Sequence, residues 1–469
     1  MNLSSTARKI CNVIRDGGGI AYIVGGTVRD HILGVPSNDI DIEVYGLLVN
    51  DIIDDLMLAG FSLDIVGKSF GVIKIKGEDI DITIPRRDSK MGDGHRDFDV
   101  NCDPNMTPRE AAMRRDFTIN SISYNPYQNC LIDPFGGVLD LKNRILRHTS
   151  ERFVDDPLRV LRGMQFVARY DLEVDPMTIK LCQTLSQDHL SKERVFEEWV
   201  KLITKGVKIS KGLKFLVDTK WIKYYPELES LIDLPQDSEW HPEGDVFTHT
   251  CLCMDVFAGS KTKSDLEEQI TCGFAVLCHD FGKATTTDFI RGRWRSLRHE
   301  QEGEQPTRSF LSRMVKADNQ IHPSKLIENV VSLVTNHMAP TMYYEQKVSN
   351  GAIRRLSNRV ERLDWLVWIS TCDKLGRGSM VYQMDAENWL LEKAKELEVL
   401  DSKPKPIILG RHLIQLGMTP GLNFGSILNS AYEAQLDGIF SDVENGIEWV
   451  KLNYVMKGKT YIDTPNSTE

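Results

Sequence analysis

The chain has no apolar run long enough to span a bilayer, so a helical membrane protein is excluded and no membrane partner is expected. It has no Cys-x-x-Cys pair. Its nine cysteines are odd in number and scattered, and the two nearest, Cys251 and Cys253, do not stand at zinc-finger spacing. Neither a disulfide framework nor a zinc ribbon is therefore expected, and a reduced, cytoplasmic setting is the simplest one. The opening Met1-Asn2-Leu3-Ser4-Ser5-Thr6 carries no apolar signal core, so no export is expected. No segment repeats. Excess positive charge is missing too: the net charge of -10 argues against indiscriminate RNA binding by charge alone, and leaves local basic patches open.

What remains is an ordinary globular composition, 41% apolar and 26% charged over 469 residues, enough for about three domains. The pattern predicts an α+β head over residues 1–125, a helical segment over 126–235, a second helical domain over 236–379 and a helical tail over 380–469. In the head, residues 21–24 read as a buried strand running into Gly25-Gly26. Residues 28–33 read as a short helix closed by Gly34. Residues 40–44 alternate strictly and read as a strand, and 72–75 with 80–84 as a strand pair across Gly77. Residues 88–105, rich in Gly, Asp and Lys, read as a mobile loop. Asp156-Pro157 is a helix start, an acid cap with proline at the first position. The tail is broken at Lys403-Pro404-Lys405-Pro406, and only 464–469 is expected to be disordered.

Gly25-Gly26-Thr27-Val28-Arg29-Asp30 and then Asp39-Ile40-Asp41 carry the head's chemistry. Carboxylates at i and i+2 on a strand share a face, and adjacent glycines let backbone approach a phosphate closely. Together they describe a site for divalent metal and a nucleoside triphosphate, with Asp39 and Asp41 as the bridging pair and Asp81 on a neighbouring strand as a third acid. The bland alternative is a solvated strand face. A dinucleotide fold is disfavoured, because the glycines are adjacent rather than spaced Gly-x-Gly-x-x-Gly. Arg114-Arg115-Asp116-Phe117-Thr118-Ile119-Asn120 supplies arginine forks that suit triphosphate oxygens, or else surface ion pairs at a helix start.

The second sharp signal is Asp155-Asp156-Pro157-Leu158-Arg159-Val160-Leu161-Arg162. On one helix, Asp155, Arg159 and Arg162 would share a face, with Asp156 capping it. An acid accepts from an exocyclic amino group and an arginine donates to the adjacent ring nitrogen, an edge that cytosine and adenine both offer. Two such charged hydrogen bonds would discriminate roughly 10²–10⁴-fold against uracil and guanine. The alternative is a capped amphipathic helix with ion pairs worth tenths of a kcal/mol.

In this order, the glycine–Arg-Asp motif, Asp-x-Asp, Arg-Arg-Asp-Phe-Thr-Ile-Asn, Asp133-Pro134-Phe135-Gly136-Gly137, Asp-Asp-Pro-Leu-Arg-Val-Leu-Arg and Glu193-Arg194-Val195 resemble a bacterial-type (class II) tRNA nucleotidyltransferase, the CCA-adding enzymes, over about residues 20–225. The resemblance implies a polymerase-β-like nucleotidyltransferase head on a helical neck and body, with CTP and ATP as substrates and the tRNA 3′ end as acceptor. It implies Mg²⁺ on Asp39 and Asp41, nucleotide contacts from Gly26, Arg29, Arg115 and Arg162, and base reading by Asp156 and Arg159. Two positions depart from the pattern: Asp155 stands where the family usually has Glu, and Gln165 where many members carry a further nucleotide-contacting Arg. Bacterial poly(A) polymerases share the superfamily, but usually carry a basic tail. This tail mixes acids and lysines, and Gly67-Lys68-Ser69-Phe70-Gly71-Val72 looks more like the CCA-adding members. A specialist that adds only A remains an alternative.

Farther on, Phe247-Thr248-His249-Thr250, then Leu277-Cys278-His279-Asp280-Phe281-Gly282-Lys283, then Cys372-Asp373-Lys374 place His249, His279, Asp280 and Asp373 as a metal-ligand set on a helical scaffold. Imidazole with carboxylate suits Mg²⁺, Mn²⁺, Ni²⁺ or Co²⁺, and such a centre activates water against a phosphate ester. Arg298-His299-Glu300 and Asn336-His337 would add ligands or hold a phosphate. The set resembles an all-α HD-domain phosphohydrolase over about 240–375. In CCA-adding enzymes that domain implies 2′,3′-cyclic phosphodiesterase, 2′-nucleotidase or phosphatase activity. A hydrolase whose head merely binds tRNA is the competing assignment, and monomer and homodimer both stay open.

Overall fold

The computed structural model describes residues 1–36, 39–66, 72–90, 98–261, 264–315, 322–378 and 383–455. The Gly67–Gly71 part of the loop motif and the final residues 464–469 lie outside them. The chain divides into two compact units, the first built on Met1–Pro226 and the second on residues from Glu227 onward. The predicted division at 235 falls inside the second unit. There the carbonyls of Leu231 and Leu234 accept from Phe247 and Val246 at 3.1 Å, tying 231–234 to the start of the next helix.

The first unit opens with a seven-stranded mixed sheet. Its strands are β1 (Ile20–Val24), β2 (Ile40–Tyr45), β3 (Leu63–Val66), β4 (Val72–Ile75), β5 (Ile80–Thr83), β8 (Ser123–Asn125) and β9 (Cys130–Ile132), in the order β3-β4-β5-β2-β1-β8-β9. β1 runs antiparallel to β2 with Val24 opposite Asp41, and β2 runs parallel to β5 with Asp41 opposite Asp81. β4 and β5 pair as the sequence indicates, with Val72 opposite Thr83. Ile23, Ile42, Val44, Ile73 and Ile82 are buried on the sheet, consistent with apolar residues on alternate strand positions. Two expectations change here. Residues 88–90 and 98–102, read as loop, pair in an antiparallel ribbon, β6 (Arg86–Lys90) with β7 (Phe98–Cys102), from Arg86–Cys102 to Lys90–Phe98. The hairpin β8–β9 also carries the sheet past residue 125.

The rest of this unit is helical. Helix Leu158–Tyr170 packs on helices Lys192–Lys205 and Ile209–Asp218 and buries Val160, Leu161, Met164, Trp199, Leu202 and Leu216. The approach is close because Gly212 faces it: a Cβ there would meet the Met164 carbonyl oxygen at 2.8 Å. The helix start is Asp-Pro as expected, with the Asp156 carboxylate accepting from the Leu158 amide at 3.0 Å. Asp155, however, is not on that helix. It ends a preceding 3₁₀ turn, Glu151–Asp155, because proline two residues on disfavours helical backbone before it. The predicted Asp155–Arg159–Arg162 helix face therefore does not form.

The second unit is almost wholly helical. Helices Val246–Ser260, Leu266–Cys278, Pro323–Asn336 and Leu363–Leu375 carry buried apolar faces, and one two-stranded hairpin, Thr287–Ile290 with Arg293–Ser296, interrupts them. After the proline-rich break, helices Gly410–Gln415, Asn423–Leu436 and Val443–Val450 enclose a small core of Ile408, Leu413, Ala431, Phe440 and Val450.

Candidate nucleotide cleft and metal centre

β1 ends at Gly25, whose φ of +72° and ψ of -139° suit glycine alone, and helix Gly26–Ile32 starts on the next residue. A Cβ on Gly25 would lie 3.1 Å from Asp41 Oδ2, so the turn brings bare backbone against that acid. The Thr27 hydroxyl donates to the Asp39 carbonyl, fastening the segment that leads into β2. Asp41 and Glu43 follow on one face of β2. Burial first, then Asp39, Asp81 and Glu43, push the Asp41 carboxyl up to about 6 against the opposing pull of Arg115.

A cleft of about 550 Å³ opens beside these acids. Gly26, Arg29, Asp39, Asp41, Arg115, Asp156, Arg159 and Arg162 all line it, so eight of the nine residues expected at the metal and nucleotide site come together. Asp81 does not line it. Its oxygens sit 2.8 and 3.0 Å from Lys74 Nζ, an ion pair directly across β4–β5, and it acts on Asp41 through charge.

Several lining residues are assigned no contact from the sequence. Asp116 Oδ2 pairs with Arg162 Nε at 2.7 Å, and its Oδ1 accepts from Asn120 Nδ2 at 2.9 Å. Asn120 in turn accepts from Arg29 through its side chain and from Arg115, at 3.0 Å, through its backbone carbonyl. Two residues four apart in the Arg-Arg-Asp-Phe-Thr-Ile-Asn run thus aim three arginines, and that spacing was the available signal. Arg29 also bonds Asp30 at 2.9 Å and lies 4.6 Å over the Tyr170 ring. The pair expected to read the base is held as well: Asp156 Oδ2 accepts from Arg194 at 2.7 Å, and Arg159 donates to the carbonyls of Arg152 and Arg114.

Eight arginines and lysines line the cleft against four aspartates, Arg169, Arg194, Lys201 and Lys205 completing the cationic set. Burial first, then Arg169 and Lys201 nearby, lower the Lys205 pKa. Gln165, 3% exposed, also lines the cleft, and its Oε1 has no hydrogen-bond partner.

The second unit gathers His249, His279, Asp280 and Asp373, as the sequence spacing indicates, and adds His299 and His337. His249 Nε2 lies 3.1 Å from Asp373 and 3.7 Å from Asp280, and His279 Nε2 lies 3.3 Å from Asp280. Three of the rings are oriented alike. The Nδ1 atoms of His279, His299 and His337 stand 2.7–2.9 Å from the carbonyls of Val276, Ser296 and Val334, each three residues back. A carbonyl only accepts, so each Nδ1 carries the proton and each Nε2 presents a lone pair. His299 Nε2 and His337 Nε2 face one another at 3.2 Å. Burial, then His299 and His279, push His337 down to about 3, so no proton sits between them near neutrality. His279 Nε2 is buried with no donor against it, facing the Asp280 carboxylate at 3.3 Å, another acceptor. Inward lone pairs with nothing to accept them fit a cation. Glu243, absent from the sequence-based set, accepts from His249 Nδ1 at 2.7 Å and orients that ring from behind. Around Asp280, burial opposes ionisation, but His279 and Lys283 outweigh it and hold the carboxyl well below its usual range.

Against known proteins, residues 21–147 match the Poly A polymerase head domain family. The multifunctional CCA protein of Xylella fastidiosa is 35% identical over 306 residues, 63% of this chain and 69% of that protein. Its counterpart in Xanthomonas campestris pv. campestris is 36% identical over 302 residues, 62% of this chain and 70% of its own. In fold, the chain is similar to the CCA-adding enzyme of Bacillus stearothermophilus in complex with CTP (TM-score 0.66, 21% identical, 98% of this chain and 100% of that one). It is also similar to the Thermotoga maritima CCA-adding enzyme complexed with tRNA (TM-score 0.57, 20% identical, 96% of each chain).

Proposed function

The chain belongs to the family of multifunctional CCA proteins, and on that premise we propose that it adds and repairs the 3′-terminal CCA of tRNA from CTP and ATP. The observation that carries this reading is the cleft itself: Asp39 and Asp41 at the edge of a pocket whose cations outnumber its acids two to one. Mg²⁺ ions, when bound, neutralise charge on the triphosphate and favour the attacking tRNA hydroxyl. Asp39 and Asp41 would hold them, with Asp81 keeping negative charge behind Asp41. Gly25 and Gly26 leave backbone open to the phosphates, while Arg29, Arg115, Lys201 and Lys205 spread the triphosphate charge. Asp156 and Arg159 read the base. Their protein partners hold them in place, and a carboxylate oxygen already bonded to Arg194 keeps a second lone pair for an exocyclic amino group.

A second activity is favoured by the six-residue cluster of the second unit, read as an HD phosphohydrolase domain acting on 2′,3′-cyclic or 2′-phosphate esters. His249, His279, Asp280 and Asp373 would hold a divalent transition ion, with His299 and His337 as further donors. Lys283 stands 2.8 Å from Asp280 and would pair with a phosphate oxygen.

The deciding experiment supplies the purified chain with Mg²⁺, single nucleoside triphosphates, and tRNA lacking CCA, ending in C, or ending in CC. CMP on the first two and AMP only on the CC end is the expected result. AMP alone on the CC end would mean an A-adding specialist, and long A runs a poly(A) polymerase.

A further inference from the structure

We propose that Cys253 is a sulfur ligand of the metal centre in the second unit, an assignment that rests on reading that cluster as a metal site. Cys253 follows His249 by one turn of helix Val246–Ser260 and is fully buried on the same face. Its Sγ stands 3.3 Å from His249 Nε2. Ligand atoms of His249, Cys253 and His279 all lie within 4.8 Å of one another. An ion with nitrogen ligands at about 2.0 Å and a sulfur at about 2.3 Å separates those donors by roughly 3.5 Å, so this spacing needs only small adjustment.

Two further observations single out the sulfur. His279 Nε2, 1% exposed, is aimed into the cluster with no hydrogen-bond donor against it; what it faces, at 3.3 Å, is Asp280 Oδ2, another acceptor. Gly376, on another segment, makes the room: a Cβ there would stand 2.3 Å from Cys253 Sγ and 2.9 Å from the Cys253 amide nitrogen. The sulfur's further polar neighbours, His249 Nδ1 and the Asp373 carbonyl, both stand at 3.9 Å, long contacts for an S–H group.

The centre then has two unlike halves. His249, Cys253 and His279 form a nitrogen–sulfur half. Asp280, His299 and His337 form a nitrogen–oxygen half, their ligand atoms also within 4.8 Å of one another. On binding, the thiol proton leaves to solvent and the thiolate takes its place on the ion. Sulfur selects softer ions, so Co²⁺ or Zn²⁺ is preferred over Mg²⁺ or Mn²⁺ in that half.

The test is optical. The full-length chain, stripped of metal by a chelator, is titrated with Co²⁺. Visible ligand-field bands report cobalt in the site, and a near-ultraviolet charge-transfer band reports a bound thiolate. The wild type should show both. Cys253→Val should keep the ligand-field bands, lose the charge-transfer band and bind Co²⁺ roughly tenfold or more weakly. Cys251→Ala, a buried neighbour on the same helix, should keep both bands. Ligand-field bands without charge transfer in the wild type would overturn the sulfur ligand alone, as would a charge-transfer band that survives in Cys253→Val. Absence of both bands in the wild type would overturn the metal centre, and the sulfur with it. Should Cys253→Val fail to fold, X-ray absorption at the cobalt edge of the wild type decides: a sulfur shell at about 2.3 Å supports the ligand and a shell of nitrogen and oxygen alone refutes it.

Discussion

In the cleft of the first unit an acid is pushed toward neutrality, Asp41 to about 6, by burial and by the acids around it. In the second unit a base is pushed toward neutrality, His337 to about 3, by burial and by the histidines around it. The two shifts look alike and have opposite consequences for a cation. A proton on Asp41 competes with metal, so an ion must displace it. A neutral imidazole already offers its lone pair, so near neutrality a metal meets no proton on His337. On the proposed reading, the cleft takes ions that arrive with a charged substrate, and the histidine cluster keeps an ion of its own.

If that contrast is right, the two centres fail separately. Asp39→Ala or Asp41→Ala should lower CMP and AMP incorporation on the order of 10³-fold or more, and leave hydrolysis of a 2′,3′-cyclic nucleotide unchanged. His279→Ala or Asp280→Ala should do the reverse. Both activities are measured on the same preparations, and a substitution in one centre that silences the other would break the comparison.

A smaller effect separates holding from chemistry within the cleft. Asp116 is 6% exposed and pairs with Arg162. Asp116→Ala would strand that guanidinium and loosen Asn120, and with it the arginines that Asn120 aims. The buried-pair penalty of about 3–5 kcal/mol is reduced here, because the Arg162 side chain is 35% exposed, to about 2 kcal/mol. A thermal melt should show that loss in the first unit's transition, and KM for CTP should rise. In the histidine cluster, backbone carbonyls of their own segments aim His279, His299 and His337, and a side chain, Glu243, aims His249.

The same distinction explains what could be read from the sequence. Gly25-Gly26 and Asp39-x-Asp41 were legible because strand alternation and a tight turn are local facts, and the Asp156-Pro157 start because a cap is set within three residues. That His249, His279, Asp280 and Asp373 would come together was legible from residue type and scaffold. The pairing of Asp116 with Arg162 was not, because its partners lie 46 residues apart. The ribbon of 86–90 with 98–102 was hidden by a loop-like composition. Asp155 was misplaced by continuing helical periodicity backward through a proline. Cys253 was passed over because spacing between cysteines was weighed, whereas its fit depends on His249 one turn earlier and on a glycine 123 residues later.

The acid in the cleft makes a pH prediction that sharpens the contrast. Its carboxyl lies near 6 instead of the usual range near 4, so it is protonated over a window in which a free aspartate is not. Binding Mg²⁺ expels that proton. Apparent Mg²⁺ affinity should be flat above about pH 6 and fall roughly tenfold per unit below it. Calorimetric titration of Mg²⁺ at pH 5 and pH 7.5 checks the slope, with proton release expected at the lower pH only. Asp81→Asn, which removes a neighbouring negative charge, should move the break downward.

The smallest expected effect concerns Gln165. A buried acceptor without a partner costs stability and does nothing for the empty cleft, so replacing it with an apolar side chain of similar size should be neutral or slightly stabilising, within about 1 kcal/mol. If its amide instead waits for the nucleotide, the same change removes one neutral hydrogen bond from the complex, about 1 kcal/mol or a roughly fivefold rise in KM for CTP and ATP alike. Gln165→Leu puts the two effects in opposite directions, an unchanged or raised melting temperature against a raised KM. A raised KM with a lowered melting temperature would make Gln165 a packing residue. An unchanged KM would leave substrate holding in this cleft to its charges, the arginines and lysines that oppose Asp39 and Asp41.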